Sequence, residues 1–198
     1  NNSLWSSAVS VFVENDAPTN PTNFKINGSG TTPQYGSSAG TFALSWDSST
    51  DSTGSGVEKY RIYNGGTLVQ DNITGNNYSL SLTLGTHTLS VRAVDRSGNE
   101  SVDSDIIHLI LENTLPTFTA INTPSINTYE KSTVEFTDFN GADTNFKNYE
   151  YIIIENGLPF SFGSTGIGIT NPVVSVASPN PGKTYALMAR AIDLAGNA

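Results

Sequence analysis

Eight residues, Arg92-Ala93-Val94-Asp95-Arg96-Ser97-Gly98-Asn99, return as Arg190-Ala191-Ile192-Asp193-Leu194-Ala195-Gly196-Asn197, a displacement of 98 (190 − 92). A second landmark keeps that displacement: Glu14-Asn15-Asp16-Ala17-Pro18-Thr19 reappears as Glu112-Asn113-Thr114-Leu115-Pro116-Thr117. Two separate landmarks with one offset define an internal repeat of about 98 residues, so the chain folds as copies of one unit rather than around a single large core. Val9, Val11 and Val13 fall at the phase of Ile107, Leu109 and Leu111. The register places the last strand of a preceding repeat, or a donor strand, in residues 1–13. It places one whole unit in 14–113 and a second, short of its last strand, in 114–198.

Within each period the apolar residues alternate two by two, which marks half-buried strands. Phe24 and Ile26 mark the first strand, and Phe42, Leu44 and Trp46 the second. Tyr60 and Ile62 mark the third, and Tyr78, Leu80 and Leu82 follow. Leu89, Val91 and Ala93, then Ile107, Leu109 and Leu111, close the unit. Turn residues separate them at 51–56, 64–66, 74–77 and 95–99. The second period keeps the scheme through Phe118, Val134, Phe136, Tyr149, Tyr151, Val174, Val176, Leu187, Ala189 and Ala191. It inserts a longer segment, 152–170, with Phe160 and Phe162, read as an extended hairpin or edge loop. No segment keeps helical periodicity. The expected fold class is all-β: tandem antiparallel β-sandwiches.

The residues also carry a family resemblance. Trp46, Tyr60 and the run His87-x-Leu89-x-Val91-x-Ala93, followed by Gly98-Asn99-x-Ser101, resemble the fibronectin type III pattern. Tyr185-x-Leu187-x-Ala189-x-Ala191 stands in register with it. The Asp-x-x-Gly-Asn turn and the Asn-Asp-Ala-Pro linker are similar to those of tandem fibronectin type III-like and bacterial immunoglobulin-like repeats in large bacterial surface proteins. The resemblance implies an extracellular or cell-surface location. Two positions depart from the pattern: Phe136 stands in place of Trp, and His87 stands at the corner position that Tyr185 holds.

Composition removes several function classes. Nine Lys and Arg against 18 Asp and Glu leave a net charge of −9, which opposes phosphate binding and so argues against a nucleic-acid partner. There is no Cys, hence no disulfide and no thiol chemistry. The longest apolar run, Ile106 to Leu111, contains His108 and falls far short of the roughly 18 residues of a membrane span. The two histidines lie apart from any Ser and carboxylate partners that would suggest a triad. His87 is expected to serve the corner, and His108 to face solvent on an edge strand. Tyr63 is expected to face outward beside Arg61, with Tyr35 in a loop, so no aromatic sugar platform is read. The chain is expected to be non-enzymatic and to need no cofactor.

The carboxylates suggest one site. In a sandwich of this connectivity the entering linker, the loop after the second strand and the turn after the sixth meet at one pole. That pole gathers Glu14, Asp16, Asp51 and Asp95 in the first repeat and Glu112, Asp138, Asp143 and Asp193 in the second. Converging carboxylates suit Ca²⁺, which takes 6–8 oxygen ligands. The competing reading is plain turn chemistry, since Asp, Asn and Gly are the ordinary residues of tight turns.

Three functions fit. The first is a stalk or spacer of a secreted or surface-anchored bacterial adhesin, whose partners are its neighbouring repeats. The second is a self-assembling fibre, in which Val9, Val11 and Val13 complete the sandwich of another copy by strand addition. The third is an accessory carbohydrate-binding or linker module of a secreted polysaccharide-degrading enzyme. Glycans or host-surface proteins would be further partners.

Overall fold

The computed structural model describes residues 7, 9–11, 13–122 and 133–198. All its regular elements are strands. The chain divides into two compact units, residues 1–34 with 39–110 and residues 35–38 with 111–198.

The first eight strands are β1 (Thr22–Ile26), β2 (Gln34–Gly36), β3 (Gly40–Asp47), β4 (Val57–Asn64), β5 (Thr67–Ile73), β6 (Asn77–Leu82), β7 (Gly85–Asp95) and β8 (Ile107–Leu111). They form a sheet β1-β3-β6 and a sheet β2-β8-β7-β4-β5, so the expected all-β architecture is present. Alternation decides which side chains point inward. Register pairs Phe42 with Leu80, Tyr60 with Ala93 and Ile62 with Val91, so apolar residues meet across the ladders on one face. Trp46 is 3% exposed and takes the edge of Tyr60 at 5.4 Å and Phe24 at 6.5 Å. Such aromatic pairs add about 0.5–1.5 kcal/mol beyond area burial. The Tyr60 hydroxyl accepts the amide of Ser49 at 2.9 Å and fixes the chain leaving β3.

Two strands were not legible as strands. Tyr35, expected in a loop, lies in β2. The segment 67–73, left between turns, forms β5. Both lie at sheet edges, where neither face is fully buried and the alternation fades. β2 also flanks β8, so His108 does not sit on an edge strand; it is exposed, and its Nδ1 lies 3.2 Å from Thr88 Oγ1.

The second unit contains β9 (Thr117–Asn122), β10 (Thr133–Ala142), β11 (Phe146–Glu155), β12 (Leu158–Ser164), β13 (Val174–Ala177) and β14 (Tyr185–Asp193). They form sheets β13-β10-β9 and β12-β11-β14. The long middle segment is a hairpin, as the sequence suggested: β11 and β12 pair from Glu155↔Leu158 to Glu150↔Ser164. Tyr149 is wholly buried. It packs against Phe146 at 4.9 Å, Phe139 at 5.2 Å and Phe118 at 5.7 Å, and its hydroxyl accepts the amide of Gly141 at 2.8 Å. Phe139, rather than the expected Phe136, takes the place of Trp46: it lies 5.2 Å from Tyr149 and 6.5 Å from Phe118, as Trp46 lies 5.4 Å from Tyr60 and 6.5 Å from Phe24. Phe136 is buried in the same core.

Candidate functional site

The repeated Asp-x-x-Gly-Asn motif folds as a closed turn whose carboxylate takes the donors. In the first unit Asp95 Oδ1 accepts the amides of Ser97 and Asn99, both at 2.8 Å, and Oδ2 accepts Asn99 Nδ2 at 2.9 Å. Gly98 adopts φ +93°, the left-handed region that favours glycine. In the second unit Asp193 Oδ1 accepts the amide of Asn197 at 2.8 Å and Oδ2 accepts Asn197 Nδ2 at 2.7 Å, with Gly196 at φ +90°. Both Asp95 and Asp193 have 0% exposure. A buried carboxylate persists only when hydrogen bonds replace its water, and here the turn's own donors do so. Burial pushes the Asp95 carboxyl up, but the hydrogen bonds from Asn99 and Ser97 more than offset it. Its pKa lies below the usual carboxylate value.

Each turn also holds the linker that enters its own unit. Asn99 Nδ2 lies 3.5 Å from Glu14 Oε1, which also accepts Ser55 Oγ at 3.0 Å. Asn197 Nδ2 donates to the Glu112 carbonyl at 3.1 Å, and Asn145 Nδ2 donates to Glu112 Oε1 at 3.2 Å. Further along the first linker, Thr19 N donates to Thr50 O and Thr50 N to Thr19 Oγ1, both at 2.9 Å. The motif is therefore a clamp as well as a turn.

Of the expected ligands, Glu14, Asp51 and Asp95 converge: one oxygen of each lies within 4.8 Å of the others. Asp16 is exposed and outside the group. Glu112, Asp143 and Asp193 form no such group among the described residues, and the side chain of Asp138 lies outside them. Asp143 Oδ1 accepts the amide of Asn145 at 2.6 Å, as a turn residue does. Sequence reasoning missed Gly54, Ser55 and Asn145. The Gly54-Ser55-Gly56 sequence was a usable signal, because a Cβ on Gly54 would strike Glu14 Oε2 and both Asp51 oxygens.

The remaining expected residues fall as follows. His87 is buried at the corner, with Nε2 2.8 Å from the Thr83 carbonyl and Nδ1 2.9 Å from Asn64 Nδ2. Tyr63 corrects the sequence reading. It shares a face with Arg61, yet only 9% of it is exposed. Arg92 lies over its ring at 4.4 Å and its hydroxyl donates to Glu100 at 2.6 Å. Lys59, Arg61, Asp71, Glu100, Arg92 and Asp103 link into one ion-pair network on that face. Hydrogen bonds from Lys59 and Arg61 hold the Asp71 carboxyl down at about 2.

On the matching face of the second unit, register aligns Phe162, Ile152 and Met188 in one row. Phe162 is 71% and Met188 60% exposed. Beside the row Arg190 Nη2 meets Glu150 Oε2 at 2.6 Å. Phe160 instead packs its edge on Tyr185 at 6.1 Å. Val9, Val11 and Val13 are 87%, 79% and 79% exposed and belong to no strand.

No protein-family profile matches the chain. A stretch of 63 residues, 31% of this chain, is 41% identical to Exoglucanase B of Cellulomonas fimi. The match spans only 6% of that enzyme. Among solved structures the chain is similar to the fibronectin(III)-like modules of CbhA from Clostridium thermocellum, at TM-score 0.48 and 18% identity over 88% of this chain and 89% of that one. It is also similar to a chitinase of Bacillus thuringiensis, at TM-score 0.36 and 20% identity over 91% of this chain and 27% of that one. Among the described residues no helix is long and apolar enough to cross a membrane.

Proposed function

We propose that the chain is a non-catalytic spacer of fibronectin type III-like modules within a secreted bacterial polysaccharide-degrading enzyme. The observation that carries this reading is the clamp. Each entering linker is hydrogen-bonded into the Asp-x-x-Gly-Asn turn of its own unit, through Asn99 to Glu14 and through Asn197 to Glu112. A tether that only had to be long would need no such bonds, whereas a spacer that sets direction does. The likeness to an exoglucanase over 63 residues favours this parent over an adhesin.

Co-sedimentation with insoluble cellulose and chitin tests the reading. A spacer stays in the supernatant at every polysaccharide load. Sedimentation of most of the chain, abolished by Phe162→Ser, would overturn it in favour of glycan capture by the Phe162 row.

A second reading, strand addition between copies, draws on the β14 edge. β14 is an outer strand of its sheet. Leu187 and Ala189 on it are half-buried, whereas Leu89 and Val91 on β7 have 0% exposure beside β8. The exposed Val9, Val11 and Val13 alternate as a donor strand would. Size-exclusion chromatography separates the two readings. The spacer elutes as a monomer, and concentration-dependent oligomers that Val11→Asp abolishes would favour the fibre.

A further inference from the structure

We propose that Glu14, Asp51 and Asp95 hold one divalent cation, Ca²⁺, at the point where the linker enters the first unit. The three carboxylates come from three separate segments: the linker, the loop after β3 and the turn after β7. Their oxygens lie within 4.8 Å of one another. Three oxygens no more than 4.8 Å apart share a centre within about 2.8 Å of each, so one Ca²⁺ at about 2.3–2.6 Å reaches all three with side-chain shifts of a few tenths of an ångström at most.

The independent sign is Glu14 Oε2. It has less than 1 Å² of accessible surface and no hydrogen-bond partner, although the other oxygen of the same carboxylate is bonded to Ser55 and lies near Asn99. A Cβ on Gly54 would meet that orphan oxygen together with both Asp51 oxygens, so it is aimed at a second carboxylate. Asp51 Oδ2 accepts the Gly56 amide at 2.7 Å, but no donor reaches the buried Glu14 Oε2. An unpaired oxygen facing a second carboxylate is costly unless a positive charge completes it. Among the described residues no ion pair involves these three acids. Arg96, the nearest basic residue in the turn, spends its Nη1 on the Ser55 carbonyl at 2.6 Å.

The second unit shows what the same place looks like without the demand. There Asn145 Nδ2 donates to Glu112 Oε1, and no third carboxylate joins Glu112 and Asp193 among the described residues. The donor set in the first unit is all oxygen and all anionic, which selects a hard cation. Three or more remaining positions on the ion are left for water. The site is independent of the spacer reading, because a glycan-binding chain would hold the ion in the same way.

Isothermal titration of the metal-stripped 198-residue chain with CaCl₂ tests the proposal. The expected result is one site per chain with Kd about 10⁻⁴ to 10⁻³ M, the range of extracellular modules. At roughly tenfold excess over Kd the first-unit Tm should rise by about 7 °C. Glu14→Gln and, separately, Asp51→Asn should abolish the heat while the far-UV circular dichroism stays native. Asp16→Asn and Asp143→Asn should leave it unchanged. No heat and no Tm shift in the native chain would overturn the proposal. So would binding that survives both Glu14→Gln and Asp51→Asn. Equal heat from MgCl₂ would overturn the choice of Ca²⁺.

Discussion

Asp95 and Asp193 occupy the same turn, with the same Asn bonded to both carboxylate oxygens and the same left-handed glycine. Their surroundings differ in charge. Around Asp95 stand Glu14 and Asp51; around Asp193, Asn145 supplies the donor that Glu112 needs. The turn chemistry is thus common to both units, and among the described residues the crowding of acids is found in the first alone. An Asp-rich turn motif alone therefore does not define an ion site. The loop that faces the turn decides: 51–56 brings Asp51 and a glycine that permits close approach, while its counterpart brings Asn145.

The largest expected effect separates the two cores. Trp46→Ala should cost the first unit about 3–5 kcal/mol and leave the second transition in place. Two-transition urea unfolding followed by fluorescence checks this, and a joint shift of both transitions would break the description of two separate cores. Next come the turn carboxylates. Asp193→Asn should cost about 2 kcal/mol, because a charged acceptor of two hydrogen bonds is lost. Asp95→Asn in EGTA should cost less than about 1 kcal/mol, since removing one charge beside Glu14 and Asp51 offsets part of the lost bonding. Equal losses would show that the crowding around Asp95 carries no strain.

The outer faces differ in the same spirit. The first unit covers Tyr63 with an ion-pair network; the second leaves Phe162 and Met188 in solvent beside one exposed ion pair. The network predicts a pH response. Hydrogen bonds from Lys59 and Arg61 hold Asp71 at about 2, and a hydrogen bond from Arg92 lowers Asp103. A carboxyl depressed in the folded state contributes stability above its unfolded value near 3.8 and loses it as pH falls through the folded value. The first-unit Tm should therefore drop more steeply than the second between pH 4 and about 2. Parallel acid profiles would contradict this. The smallest effect is at Phe162. Its ring is mostly in water, so Phe162→Ser should change the second-unit stability by less than about 0.5 kcal/mol.

Period-two alternation showed the core strands directly, because Leu44, Trp46, Ile62, Leu89 and Val91 are buried apolar residues at every second position, with polar or less buried residues such as Ser45, Arg61 and Ser90 between or beside them. Edge strands such as β5 lack that contrast, so 67–73 read as a connection. Tyr63 was misread for a related reason. Its cover comes from Arg92 and Glu100, which lie on other segments and carry no local signal. At the acid site, the shared pole made Glu14, Asp51 and Asp95 legible together. Asp16, two residues from Glu14, is exposed and outside the group, which the shared pole did not reveal. The donor at the second pole was also hidden, because the role of Asn145 appears only once Glu112 is placed against it.

Each repeated turn holds the linker of its own unit, and hydrogen exchange of Asn99→Ala and Asn197→Ala tests this most directly. Exchange should quicken across 14–19 in Asn99→Ala and across 112–117 in Asn197→Ala, with each change confined to its own linker. Linker exchange unchanged in both variants would contradict it.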